Sequence, residues 1–299
     1  GTTAMTNGSV YYKYVPKKTK YTNNHTALES ANFNKNIFYY TIYVGDYDSS
    51  AWLKQYIPTY FADSKRGAFA LMWSINPNLS YRIPMTFDYM FEKLSSKDYI
   101  VGGSGGAGYI IPEGLFHDKS LAYMGEKRPS GNAAAGTVWA NYSKPFYDRF
   151  GLEMTGFIIN GAQHYMTENI AKHISMYSPK LNFTNCHFTP IVKYNSTYFV
   201  HCHNGIDVGQ SDVMYNHARS TMSSGLNYSA YRTVDTSPTK INQIVTDFNS
   251  YASGKGLIAK YVDPYTYYNL VQASGKATNL GTATLPSTSS TPQTATPRP

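Results

Sequence analysis

Apolar, β-rich runs alternate along this chain with stretches of helical periodicity, and no other feature restricts its fold as strongly. Ile37 to Val44 (IFYYTIYV) reads as a strand closed by Gly45-Asp46, and Trp52 to Tyr60 follows as a helix. Ala68 to Ile75 is the next strand, ended by Asn76-Pro77, after which Phe87, Met90, Phe91 and Leu94 recur at helical spacing. Asp98 to Val101 leads into a glycine-rich turn, Ala133 to Phe150 is helix-like, and Thr155 to Ile159 is a further strand. Met166, Ile170, Ile174 and Tyr177 mark another helix. Phe188 to Tyr194 and Thr197 to His201 then form a hairpin around Asn195-Ser196. Tyr228 to Val234 and Leu257 to Val262 complete the strands. Ser237-Pro238 and Asp263-Pro264 each supply a cap and a proline to open a helix. A repeated βα pattern of this kind predicts an α/β fold, a (β/α) barrel of about seven to eight parallel strands that is regular, incomplete or distorted.

Three segments follow from this reading. Residues 1–34 form an N-terminal extension packing on the barrel, residues 35–275 the barrel-like domain, and residues 276–299 a Ser/Thr/Pro-rich linker or tail. The text from Ala277 to Pro299 is mostly Thr, Ser, Pro, Ala and Gly with no apolar periodicity, so it reads as a tether to another module. The chain opens Gly1-Thr2-Thr3 without a leader pattern, as a mature fragment would. No window holds enough uninterrupted apolar residues to span a membrane.

Charge narrows the partners. The formal net charge is +8, yet Lys17, Lys18 and Lys20 form the single compact basic run and arginines do not cluster, which argues against nucleic acid. Tyrosine is abundant, with 29 copies, and its flat apolar face with a hydroxyl edge suits sugar rings and half-wet surfaces alike. Cys186 and Cys202 stand sixteen apart, and their pairing stays open.

In βα folds the working groups sit on loops after the carboxyl ends of strands. Those positions hold Asp46 and Asp48, Asn76, Ser104 to Glu113, Asn160 and His164, His201 to Asp207, Asp235 and Asp263. The run Val101-Gly-Gly-Ser104-Gly-Gly-Ala-Gly-Tyr109-Ile-Ile-Pro112-Glu113 is not a phosphate loop: it lacks G-K-[ST], its glycine spacing is wrong for a dinucleotide fingerprint, and Pro112 ends the turn early. Its glycines instead allow close backbone approach.

Gly106-Ala107-Gly108-Tyr109-Ile110-Ile111-Pro112 resembles the motif naming the GxGYxYP family of putative glycoside hydrolases, with Ile111 in place of the second tyrosine. Trp73 to Leu79, Lys97 to Ser104 and, more distantly, Gly45-Asp46-Tyr47-Asp48 are similar to further stretches of that family. The resemblance extends over roughly residues 35 to 270 and marks a divergent member. It implies a (β/α) barrel of the kind found in secreted polysaccharide-related proteins, and it gives Asp46, Asp48, Asn76, Tyr109 and Pro112 as matching positions.

Glycoside hydrolysis needs two carboxyls about 5 to 9.5 Å apart, one protonated and one ionised. Asp46 and Glu113 are the candidate pair. Asp48 is either a third catalytic group or the cap of the helix at Ala51-Trp52, and Glu113 could equally be an exposed acid. Asn76, Tyr109, Ser104, Asn160, His164, His203 and Asp207 are the candidate substrate-binding residues. Tyr109, Trp73, Trp139 and Tyr165 are the candidate stacking aromatics, with Trp73 better suited to the core. No cofactor is expected. The minority alternative is a divalent metal at His201 and His203, whose His-x-His spacing puts both imidazoles on one side, in a metal-dependent carbohydrate esterase or deacetylase using Asp46. The expectation is thus a secreted, extracellular carbohydrate-active module. The alternatives are that esterase and a non-catalytic carbohydrate-binding or adhesive module.

Overall fold

The computed structural model describes residues 18–30, 33–45, 49–103, 105–112, 133–158, 166–185, 191–203 and 205–281. Among these residues the strands β1 Ile37–Gly45, β2 Leu71–Ile75, β3 Asp98–Gly103, β4 Thr155–Ile158, β5 Leu181–Thr184, β6 Val192–Tyr194, β7 Thr197–His203, β8 Tyr228–Val234, β9 Ile258–Tyr261 and β10 Thr278–Gly281 join one sheet. Between them run α1 Ser50–Phe61, α2 Pro84–Glu92, α3 Ala133–Phe150, α4 Glu168–Ser175, α5 Ser211–Ser223, α6 Pro238–Gly254 and α7 Pro264–Ser274, with a short 3-10 turn at Pro77–Tyr81. The result is a mixed α/β fold with a large, mostly parallel sheet.

Hydrogen-bonded neighbours follow the order β10-β6-β7-β5-β4-β3-β2-β1-β8; β9 adds to β1, and β7 also pairs with β8. Of these pairings β6–β7 is antiparallel, the hairpin expected around Asn195, which takes a φ of 53°. Asparagine tolerates that left-handed conformation better than most residues. β1 is the hub. It bonds β8 from Tyr39 to Gly45, β9 from Ile37 to Tyr40, and β2 at Tyr43 and Val44.

Both faces of the sheet are covered, which is why its strands are apolar nearly throughout rather than alternating. One face carries Phe38, Tyr40, Ile42 and Val44 of β1 with Leu71, Trp73 and Ile75 of β2. These pack against Leu53 and Ile57 of α1, Phe87 and Met90 of α2, Phe150 of α3, and Ile241, Ile244 and Phe248 of α6. The other face gathers Tyr39, Tyr43, Met72, Tyr99, Val101, Phe183, Val200, Cys202 and Ala230 around Tyr265, Tyr267 and Val271 of α7.

Tyrosine abundance has its main use here. Tyr40, Tyr43, Tyr99, Tyr147, Tyr194, Tyr231 and Tyr267 are among the largest fully buried side chains. Their hydroxyls find partners inside: Tyr147 with Thr155 Oγ1 (2.7 Å), Tyr40 with Asn249 Oδ1 (2.9 Å), and Tyr99 with the Thr26 carbonyl (2.8 Å). Two of them replace absent side chains across the structure. A Cβ on Gly156 would stand 1.6 Å from the Tyr43 ring, and one on Gly102 would stand 1.9 Å from the Tyr147 hydroxyl.

A buried ion pair ties four elements. Asp98, fully buried at the start of β3, accepts from Arg66 Nη2 (2.7 Å), Trp73 Nε1 (2.8 Å) and the Ser95 amide (2.8 Å). Arg66 also donates to the Phe61 carbonyl at the end of α1 (3.1 Å) and lies 3.9 Å over the Phe61 ring.

At the amino ends of the strands, residues 18–30 are pinned by side-chain bonds. Asn23 bridges the amide and carbonyl of Ile100 (3.0 and 2.7 Å), and Asp263 accepts from the Leu28 amide (3.0 Å) while capping α7 at Tyr265 and Thr266. Asp263, a strand-end acid in the sequence, therefore holds structure. At the other terminus Thr278–Gly281 pairs with β6, so four residues assigned above to the tail belong to the sheet, drawn in by Leu280, which packs against the core. Residues 282–299 lie outside the described residues.

Two outcomes are expected. Asp98→Ala leaves Arg66 buried without its counter-charge and should lower stability by about 3–5 kcal/mol in urea denaturation. Deleting residues 282–299 should leave the melting temperature unchanged, whereas deletion from residue 276 strips β10 from β6 and should lower it by several degrees.

Candidate functional site

Six of the expected site residues, Asp46, Asp48, Ser104, Glu113, Asn160 and His164, lie outside the described residues. Gly45, Gly103 and Ile158, the last residues of β1, β3 and β4, belong to one parallel set whose strands end at the same edge of the sheet. The alternative account of Asp48 also changes, because the cap of α1 is Ser49, whose side chain accepts from the Trp52 amide.

The glycine-rich loop is built onto α3. Gly105 and Gly106 take φ values of 87° and 137°, a conformation side chains resist. The Gly105 carbonyl accepts from Tyr177 Oη (2.6 Å) and Trp139 Nε1 (3.0 Å), and the Ala107 amide donates to Ser143 Oγ (3.2 Å). A Cβ on Gly106 would press on Ser143 Oγ and Trp139 Nε1 at 2.8 and 3.0 Å. The loop thus lies directly on the helix and turns Tyr109 outward, 62% exposed. Beside it, Asn76 is nearly buried, and its side chain accepts from the Asn78 amide (3.2 Å) to start the 3-10 turn after β2.

The joined ends of β1 and β8 bring in Arg232, which the strand reading passed over, and Asp235, which it named only as a loop position. Arg232 shares its sheet face with Tyr228, Ala230 and Cys202, and its guanidinium lies on Gly45, where a Cβ would come within 2.7 Å of Nε. A charged residue at the third of the alternate positions Tyr228, Ala230 and Arg232 is the signal that marks it. Three residues on, Asp235 takes a left-handed φ of 53°; its amide donates to the Gly45 carbonyl (3.4 Å) and its carbonyl accepts from Tyr60 Oη (3.1 Å). Burial, and then the Asp235 charge, push the Tyr60 phenol up to about 12. Tyr60 is therefore a hydrogen-bond donor throughout the neutral range.

His203 and Asp207 go elsewhere. His201 and His203 share one side of β7, as the spacing predicts, but it is the side facing α5. There the His203 ring stands 4.4 Å from His201 and 3.6 Å from His217 of α5, centroid to centroid. His217 is held by Tyr231 Oη (2.8 Å) and Thr221 Oγ1 (3.2 Å). A cavity of about 160 Å³ opens here, lined by His201, His203, Thr221, Ser224, Ser229 and Tyr228. It reaches the first residues of β8 and the end of α5. Among the described residues no group of three or more His, Cys, Asp or Glu side chains is arranged to hold a metal ion. Asp207 is exposed and accepts from the Val208 amide (2.7 Å) in the turn that leads to α5. Cys202 is a free thiol, pushed up by burial. Trp73 is fully buried, and Tyr165 lies outside the described residues.

Desolvation lowers the His217 imidazole from 6.5 to about 4, so the fold keeps it neutral. Between those values the unfolded chain binds the extra proton, and stability falls as pH drops from about 6.5 to about 4. In His217→Gln the melting temperature should depend less steeply on pH across that window.

A model of the GxGYxYP putative glycoside hydrolase C-terminal domain matches residues 36–253. Comparison with curated proteins gives no match. Among solved structures, the crystal structure of a putative hydrolase from Bacteroides thetaiotaomicron superposes with a TM-score of 0.63 at 15% identity, over 88% of this chain and 49% of that one. At that identity the likeness is one of fold, and the chain spans about half the length of that relative.

Proposed function

This chain belongs to the GxGYxYP putative glycoside hydrolase family, in its C-terminal domain, and from that membership we propose that it hydrolyses glycosidic bonds at the carboxyl edge of its sheet. The observation that carries the reading is one of placement: the β1 end leading to Asp46 and the β3 loop that bears Tyr109 and leads to Glu113 leave the same edge of one parallel sheet. That edge is where groups from neighbouring strands can face a common substrate.

We take the sheet to be a closed barrel of β1–β5, β7 and β8. The β7–β8 pairing at Cys202↔Ala230 and His203↔Tyr231 supports closure, and so does the reach of Tyr43 from β1 to Gly156 of β4 and to Phe183 of β5, 6.2 Å between rings. Asp46 and Glu113 then act as the two carboxyls of the reaction. One protonates the departing glycosidic oxygen, and the other attacks the anomeric carbon or activates the water that does. Arg232 at the mouth favours the ionised form of a nearby carboxylate, and Tyr109 offers a ring to the sugar face. Action on a glycan would suit a secreted module, and the Ser/Thr/Pro-rich residues 282–299 would suit a tether.

Asp46→Asn and Glu113→Gln should each lower glycan turnover by several orders of magnitude, measured as release of reducing ends, while glycan binding persists. Chelation should leave turnover unchanged, since two-carboxyl chemistry has no step for a metal. Full turnover in Asp46→Asn, or its loss on chelation, would overturn the assignment, the latter in favour of the esterase.

A further inference from the structure

A line of aromatic rings runs along α3 beside the glycine-rich loop, outside the residues assigned to bond cleavage. Trp139 and Tyr142 stand 5.6 Å apart at 33°, Tyr142 and Phe146 5.4 Å apart, and Phe146 and Tyr81 5.2 Å apart. Phe146 is buried and anchors the line from beneath. Tyr81 and Tyr142 are 65% and 40% exposed.

Each ring is fixed. Trp139 is bound to the Gly105 carbonyl, Tyr142 Oη accepts from Asn78 Nδ2 (2.9 Å), and Tyr81 packs edge-on against Phe146. Arg82 lies close enough to act on the Tyr142 phenol, so the strip has a polar margin as well as ring faces. The strip is also continuous with the glycine-rich loop. A Cβ on Gly108 would stand 3.5 Å from the Trp139 ring and 3.8 Å from Asn78 Nδ2, and Tyr109 follows at once.

From this arrangement we infer that Trp139, Tyr142 and Tyr81 form an extended binding subsite for a glycan chain several sugars long, rather than for a mono- or disaccharide. The inference rests on the hydrolytic reading and gives it a substrate class, a polysaccharide lying along α3 with one end at the carboxyl edge. Ring spacing of this order is comparable with the span of one sugar, and amphipathic rings flanked by amide and guanidinium donors match sugar C–H faces and hydroxyl edges. Rings already held in place lose little freedom on binding. The described N-terminal segment leaves the strip clear: Tyr21 stacks on Phe150, at the opposite end of α3, with ring centroids 5.0 Å apart.

The test is native gel electrophoresis of the full chain through soluble xylan, galactomannan, mixed-linkage β-glucan and polygalacturonate, beside reducing-end assays on the same polymers and on their disaccharides. At least one polymer should retard the wild-type chain. Tyr81→Ala with Tyr142→Ala should weaken that retardation on the order of tenfold. Tyr142→Phe, which keeps the ring, should stay near wild type. Thermal melts should show every variant folded at the assay temperature, with Tyr142→Phe near wild type and the double variant modestly lowered by its lost ring contacts. Turnover of the polymer should fall in the double variant through a raised KM, with cleavage of the disaccharides unchanged. Absence of retardation by every polymer, retention of full affinity in the double variant, or a co-purifying protein covering the strip would overturn the inference. Retardation without release of reducing ends would leave the subsite standing and remove the hydrolytic reading instead.

Discussion

Asp98 sits where the sheet, its turns and two helices meet, and a carboxylate removed from water there must be answered on every side. Arg66 answers it with charge, Trp73 with an indole N–H, and Ser95 with the amide of the turn that starts β3. Because Arg66 is itself bonded to the end of α1 and to the Lys93 carbonyl just past α2, one buried charge sets the spacing of β2, β3 and both helices. The ends of β2 and β3, which carry Asn76 and the glycine-rich loop, are positioned by this arrangement at their opposite extremity. Ion pairs of this kind add little net stability over a well-packed apolar cluster. What they supply is a unique arrangement, since any slip leaves a charge without its partner.

A sheet covered on both faces explains the chain's composition better than any ligand does. With helices on one side and the α7 cluster on the other, nearly every strand residue must be large and apolar, and tyrosine meets that need where a hydroxyl can reach a carbonyl or an amide. Among the described residues Tyr81, Tyr109 and Tyr142 keep exposed rings where the glycine-rich loop meets α3, and Trp52 keeps one on α1. Abundance of a residue type therefore says less about binding than its distribution between inside and outside.

The alternation of runs was enough to read β1, β2, β3, β7 and β8 and most of the helices, though not α5, because a strand buried on both faces is an uninterrupted apolar run bounded by Gly, Asn or Asp. Proline-led helix starts at Pro238 and Pro264 were legible for the same local reason. Contacts between distant segments were not. Nothing in Thr278–Gly281 announces a strand, since its pairing is decided by β6. Nothing local in His201-Cys202-His203 tells which side of β7 faces α5, and the spacing gave the shared side correctly but not its direction. Asn76 and Asp207 look like binding groups in the sequence, yet they hold turns, the commonest use of short polar side chains at strand ends. Arg232 was hidden by its neighbours: a lone charge in an apolar strand reads as an edge residue until the opposite strand shows a glycine beneath it.

Tyr43 with Gly156, and Tyr147 with Gly102, are pairs in which one residue occupies the volume its partner gives up. Each is a lock-and-notch joint made from residues far apart in the chain or on different elements, and neither half can enlarge or shrink alone without a clash or a void. Across related chains the two members should therefore change together, with summed volume conserved while identity drifts. Such joints let a sheet of this kind diverge widely in sequence and keep its shape, because the heritable quantity at each is a volume shared between two positions rather than a residue at either one.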